Sequence, residues 1–180
     1  HKFYTTDTLY NEHFLPLLAI MMKRSDILLS EQLLINAQIN ANHPSLTSFQ
    51  NQIRNTTFSY LSDSLIWVDG SGLSIYNMVT PVSLIQVLTN IYGKLEWSEI
   101  EMIFPVGGES GTIRNWYGAE EPYVFAKTGT LRHNHCLSGF LKTRSGKVLI
   151  FSFMNNHYTT SSAQVKQEMQ RLLEQIRDAY

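Results

Sequence analysis

The sequence has a single cysteine, Cys136, which excludes an intrachain disulfide among these residues and says little about redox compartment. Charge is sparse too: Asp, Glu, Lys and Arg make up 16% of the 180 residues, and the formal net charge is −1. Nothing in that balance points to nucleic acid, a partner for which a basic patch is expected. No apolar run approaches the roughly 20 residues needed to cross a bilayer. Repeats, low-complexity tracts and an obvious linker are also missing. The opening residues, "HKFYTTD", contain no initiating methionine, charged n-region or apolar h-region. The expectation is that these residues are a piece of a longer protein.

What is present suits one folded domain spanning residues 1–180. Hydrophobic residues account for 43%, and a chain of this length can bury roughly 70% of its unfolded surface. From about Asn11 to Asn40 the pattern is helical, with a break near Lys23–Asp26. The first part sets Phe14, Leu17, Leu18, Met21 and Met22 at helical spacing. Ser25-Asp26 offers a cap for a second helix bearing Leu28, Leu29, Leu33, Leu34 and Ala37. Another helix opens after Pro44. "SLIWVDGSGLS" reads as a short apolar strand ending in a Gly/Ser turn.

The clearest helix follows, capped by Thr80, with Pro81 at its first position, Gly93 as its stop and Leu84, Ile85, Leu88 and Ile91 in one stripe. "FPVGGESGTIRNWYG" is loop-like, and without G-K-[ST] it is not a phosphate loop. Three strands come next, roughly Tyr123–Leu131, Cys136–Thr143 and Lys147–Asn155, with Ser145-Gly146 in the second turn. A last helix carries Val165, Met169, Leu172, Leu173 and Ile176 on one face. The order predicts an α+β layer structure, an antiparallel sheet with helices packed on it. Three strands look like part of a sheet.

The stretch "VFAKTGTLRHNHC", Val124–Cys136, sets a lysine, two hydroxyls and a bare glycine into a strand. Glycine inside a strand marks a close approach by a ligand or another backbone. On an edge strand beside a cleft, open N–H and C=O groups can pair with an extended ligand. Alternation sends Lys127 and Thr128 to opposite faces, yet groups on both faces can flank a ligand lying along an edge. Lys127 then supplies positive charge, Thr128 and Thr130 supply hydroxyls, and Gly129 leaves room. Such a site suits a carboxylate-terminated peptide and a developing oxyanion. The plain alternative is a solvated lysine in a hairpin.

Four blocks in order raise the first reading: "KRSDILLSEQLL" (Lys23–Leu34), "DGSGLSIYNMVTPVSLIQVL" (Asp69–Leu88), "FPVGGESGTIRNWY" (Phe104–Tyr117) and "AKTGTLRHNHCLSGFLKTRSGKVLIFSFMNN" (Ala126–Asn156). With them the chain resembles the D-alanyl-D-alanine carboxypeptidase/endopeptidase branch of the low-molecular-mass penicillin-binding proteins, class C. K-T-G belongs to the signature set S-x-x-K, S-D-N and K-T-G of such enzymes. The resemblance implies a β-lactamase/transpeptidase-like fold and a serine-type hydrolase. Such an enzyme cuts peptidoglycan stem peptides through an acyl-enzyme, is acylated by β-lactams and works in the periplasm or otherwise outside the cytoplasm. It also implies roles: Lys127 holding charge near a second serine, Thr128, Gly129 and Thr130 binding substrate, and the Thr130 N–H forming half of an oxyanion hole. Ser25 falls where the S-x-N serine belongs. Ser71 and Ser74, in "DGSGLS", are weaker site candidates on a turn expected to pack near the cleft. No cofactor is implied.

The chain departs from that pattern twice. It contains no S-x-x-K, so the nucleophile and its helix are expected in a missing N-terminal segment. These residues alone are expected to be inactive, and to bind β-lactams only with that segment. Ile27 stands where the family has asparagine and has no amide to donate. The parent is therefore either an active carboxypeptidase that manages without that amide or an inactive cell-wall peptide-binding or scaffolding relative. A sheet lacking strands is expected to pair with a second copy or with the missing segment. "HNHC" clusters His133, His135 and Cys136, but no fourth ligand is apparent and His157 is distant, so no metal is expected there; the resemblance implies a hairpin turn at this stretch. Asn55-Thr56-Thr57 matches a glycosylation sequon, a pattern common by chance.

Overall fold

A computed structural model describes residues 14–180. Six helices and three strands follow one another as α1 (Phe14–Arg24), α2 (Ile27–Asn40), α3 (Leu46–Asn55), α4 (Pro81–Tyr92), α5 (Trp97–Ile103), β1 (Val124–Leu131), β2 (Asn134–Lys142), β3 (Val148–Asn156) and α6 (Ser162–Ala179). A single 3₁₀ turn, Gly111–Ile113, lies between α5 and β1. None of these helices is long and apolar enough to cross a membrane.

Local chemistry sets the helix starts. Side-chain oxygens of Asp26, Ser45, Thr80 and Ser161 accept the first free N–H groups of α2, α3, α4 and α6. Pro81 opens α4 and Gly93 closes it. Glu96 and Glu99 form a capping box that starts α5, a helix too short for its apolar period to show in the sequence.

The strands form an antiparallel meander in the order β1-β2-β3. Arg132 and His133 alone connect β1 to β2, with His133 in a left-handed conformation at φ 59°. The expected turn at "HNHC" is therefore narrower: Asn134, His135 and Cys136 belong to β2. One face of the sheet, with Val124, Ala126, Leu137 and Leu141, packs on Met169 and Leu173 of α6. The other, with Phe125 and Phe140, packs on Leu88 of α4 and on Ile100 and Ile103 of α5, with Leu15, Leu18 and Met22 of α1 alongside. Trp97 and Phe104 meet these phenylalanines edge-on at centroid distances of 5.0 and 5.2 Å. Gly139 is needed at this layer, because a Cβ there would lie 2.2 Å from the Phe125 carbonyl oxygen.

Three expectations need correction. "SLIWVDGSGLS" forms no strand but a single bridge, Ile66 to Met78. Asp69 draws the backbone into a curl: its carboxylate accepts the N–H groups of Gly72 and Ser74, each at 2.8 Å, and the Asn77 amide. Such side-chain bonds compete with a ladder. In α1 the inward face is Leu15, Leu18 and Met22, while Phe14 is 56% exposed. In α2 only Leu34 is fully buried, and Leu28 points outward.

Candidate active site

β1 is an edge strand whose outer side is only half covered. Ala126 N–H donates to the Pro105 carbonyl and Gly107 N–H to that of Val124, both at 2.9 Å. Beyond Ala126 no strand continues this pairing among the described residues. Alternation along an antiparallel strand turns the Thr128 and Thr130 backbone groups toward the same open side. K-T-G-T therefore lies where an extended ligand can add as a strand.

On one face of this edge stands Ser25. The tight connection between α1 and α2 holds it: Asp26 N–H donates to the Met21 carbonyl at 3.0 Å, and the Asp26 carboxylate caps Leu29 N–H at 2.9 Å. Ser25 itself takes φ 51°, a left-handed conformation rare for a residue with a side chain. That strained backbone aims its hydroxyl at Lys127, whose Nζ donates to Ser25 Oγ at 2.6 Å and to the Thr128 carbonyl at 3.0 Å. Burial of Lys127 lowers its pKa from the ordinary lysine value. The contact leaves the Ser25 proton free to move to a neighbouring acceptor.

Gly129 lies on the same face as Lys127. A Cβ placed there would meet only Cys136 Cβ, at 4.0 Å, so nothing in the described chain requires this position to be bare. The space is open for something else. On the opposite face Thr128 Oγ1 lies 2.6 Å from Thr112 Oγ1, and Thr130 Oγ1 lies 2.8 Å from His135 Nδ1. Two hydroxyls, two outward N–H groups and an amine thus converge on one half-open edge. Together they suit a carbonyl oxygen that gains charge or a carboxylate.

Ile27, the first residue of α2, is 50% exposed, and its side chain offers no hydrogen bond. Ser71 and Ser74 do not join the cluster. Ser71 Oγ bonds to the Asp69 carboxylate at 3.3 Å and Ser74 Oγ accepts Tyr76 N–H at 3.2 Å, both within the curl. That curl docks on α2, where Glu31 takes the N–H groups of Gly70 and Ser71. His133 bonds to the Tyr158 carbonyl at 3.1 Å, and His135 and Cys136, adjacent in β2, point to opposite faces.

The D-Ala-D-Ala carboxypeptidase 3 (S13) family matches residues 11–176, nearly the whole chain, from α1 into the last turn of α6. The chain belongs to that family. Among S13 relatives, the D-alanyl-D-alanine carboxypeptidase DacB of Haemophilus influenzae is 33% identical over 119 residues, covering 64% of this chain and 25% of that protein. The D-alanyl-D-alanine carboxypeptidase of Actinomadura sp. strain R39 is 37% identical over 103 residues, 53% of this chain and 19% of that one. The crystal structure of penicillin-binding protein 4 from H. influenzae, complexed with a β-lactam, superposes with a TM-score of 0.77 at 28% identity, covering 90% of this chain and 41% of that chain. A predatory endopeptidase of Bdellovibrio bacteriovorus shares the fold, with a TM-score of 0.70 at 21% identity. The chain spans less than half the length of each of these proteins.

Two members of the cluster escaped the sequence reading. Thr112 sits in the 3₁₀ turn that Gly111 opens with φ 66°, and no periodicity reveals where such a residue points. In the sequence His135 stands out only as a possible metal ligand within "HNHC". A two-residue turn at Arg132-His133 places it directly opposite Thr130, and that turn was the available signal.

Proposed function

We propose that this chain is the C-terminal part of the penicillin-binding domain of a serine-type D-Ala-D-Ala carboxypeptidase that hydrolyses peptidoglycan stem peptides outside the cytoplasm. The observation that carries the reading is the 2.6 Å contact between Lys127 Nζ and Ser25 Oγ, groups 102 residues apart that meet at the open half of β1. In this reading a stem peptide lies along β1. Thr128 and Thr130 hold its terminal carboxylate, and the Thr130 N–H stabilises the oxyanion that forms at the scissile carbonyl. Ser25 relays the proton toward the leaving amine, with Lys127 holding positive charge beside it.

The attacking hydroxyl is not among these residues, because the sequence has no S-x-x-K. The 180 residues alone are expected to be inactive, and β-lactams are expected to acylate only the full-length protein. One observation favours a second reading. Ile27, half exposed two residues after Ser25, carries no amide that could serve a substrate, which fits a catalytically inactive wall-peptide-binding or scaffolding relative.

The deciding experiment incubates the full-length protein with benzylpenicillin, reads the intact mass and maps any adduct. A covalent adduct on a serine upstream of His1 supports the enzyme, and Ile27→Asn is then expected to speed its formation. A folded protein that forms no adduct turns the reading toward the binding protein. An adduct on a serine within these 180 residues overturns both.

A further inference from the structure

His135 lies in register with Thr130 across the β1–β2 pair and is 1% exposed. Its Nδ1 is 2.8 Å from Thr130 Oγ1, while its Nε2 is buried with no hydrogen-bond partner among the described residues. Asn155, its register neighbour on β3, turns its amide to the His135 carbonyl and to Met169 Sδ instead of the ring. Lys166 of α6 adds a nearby positive charge.

Three forms of the ring are chemically available, and the surroundings separate them. An imidazolium would bury a cation beside Lys166, and both burial and that lysine act against it by lowering the His135 pKa. The Nε2–H tautomer would leave a buried N–H without an acceptor, an omission folds avoid more strictly than a spare lone pair. It would also draw the Thr130 proton inward, so that Thr130 presented lone pairs to the edge. The Nδ1–H tautomer avoids both. It donates to Thr130 Oγ1, and the Thr130 hydroxyl proton is then free to point along the open edge.

We propose that His135 is a positioning residue that, as the neutral Nδ1–H tautomer, makes the Thr130 hydroxyl a donor toward a ligand carboxylate at the open edge of β1. It touches neither substrate nor reacting atoms. The inference rests on the peptide-binding reading of that edge, though not on turnover. Its chemistry is that of a switch in hydrogen-bond direction: the same hydroxyl repels or receives an anion according to which nitrogen carries the proton.

The tautomer is read directly by long-range ¹⁵N–¹H correlation spectra of the imidazole in the wild-type chain at neutral pH, without any substitution. Protonated Nδ1 with bare Nε2 is the expected result; an Nε2–H ring or an imidazolium overturns the proposal. Function is then read on the full-length protein as binding of an N-acyl-D-Ala-D-Ala peptide, and as benzylpenicillin acylation if that occurs. His135→Leu is expected to weaken peptide binding about tenfold, the loss of one charge-assisted hydrogen bond. His135→Asn, which keeps a donor near Nδ1, is expected to restore most of it. In a Thr130→Val background His135→Leu should cost nothing further. Wild-type binding by His135→Leu, or equal losses with and without the Thr130 hydroxyl, overturns the role. Absence of acylation with peptide binding retained would sink the enzyme reading and leave this inference standing.

Discussion

Two glycines in neighbouring strands separate the needs of the scaffold from those of the site. Gly139 is packed against the Phe125 carbonyl, so Gly139→Ala must push backbone apart. A loss of roughly 1–3 kcal/mol or more is expected in urea melts. Gly129 faces open space, so Gly129→Ala is expected to leave stability unchanged or raise it by about 0.5–1 kcal/mol. In the full-length protein the same methyl group should obstruct a ligand on β1 and slow acylation. A Gly129→Ala variant acylated at the wild-type rate would remove the edge from the proposed site. His135 adds a pH dependence. Burial, then Lys166, hold its pKa below the ordinary 6.5, so the unfolded chain takes up a proton first as pH falls. The stability due to the neutral ring is complete above about 6.5 and declines below it until the folded-state pKa is reached. Between about pH 7 and pH 5 the melting temperature of His135→Asn should fall less steeply than that of the wild type.

At the scale of elements, the connection between α1 and α2 does two jobs with two residues, Ser25 and Asp26. Asp26 caps α2, and in doing so it fixes the chain that holds Ser25 in its left-handed conformation beside Lys127. Asp26→Ala is expected to cost about 1 kcal/mol in stability through the lost cap. It should slow benzylpenicillin acylation of the full-length protein by more than that stability loss explains, whereas Asp26→Asn, also a good cap, should preserve both. The elements themselves were legible where a chemical stop signal bounded them. Thr80-Pro81 and Gly93 bracket α4 as read, and the hydrophobic spacing of Met169, Leu173 and Ile176 placed α6 against the sheet. The curl at Asp69 was misread because an apolar run gives the period of a strand but not the competing claim of a carboxylate on its N–H groups. α5 was missed because seven residues are too few for a period to show, although its Glu96/Glu99 box was there to be seen.

For the whole molecule, the feature that matters is the far side of the sheet. β3 reads Val-Leu-Ile-Phe-Ser-Phe-Met, apolar on both faces, and its outer edge has no partner strand among the described residues. Strands covered on both faces read as continuous apolar runs, and an open edge of this kind is a template for pairing. The isolated 180-residue chain is therefore expected to sediment as species heavier than its own 20.7 kDa, increasingly so with concentration. A monomer at every concentration would show that the edge is already satisfied.

The sequence by itself determined the class of fold, the family and the strand that bears Lys127, Thr128, Gly129 and Thr130, because periodicity, caps and short motifs are local properties. The order of those motifs also drew attention to Ser25 and Ile27. Only the tertiary structure decided that Ser25 Oγ meets Lys127 Nζ, that Pro105–Gly107 stops short of Thr128, and that Thr112 and His135 stand behind the two threonines. Those facts depend on distances between residues far apart in the chain. They are fixed by how the layers pack on Phe125 and Phe140 and by a single left-handed serine, which no local pattern encodes.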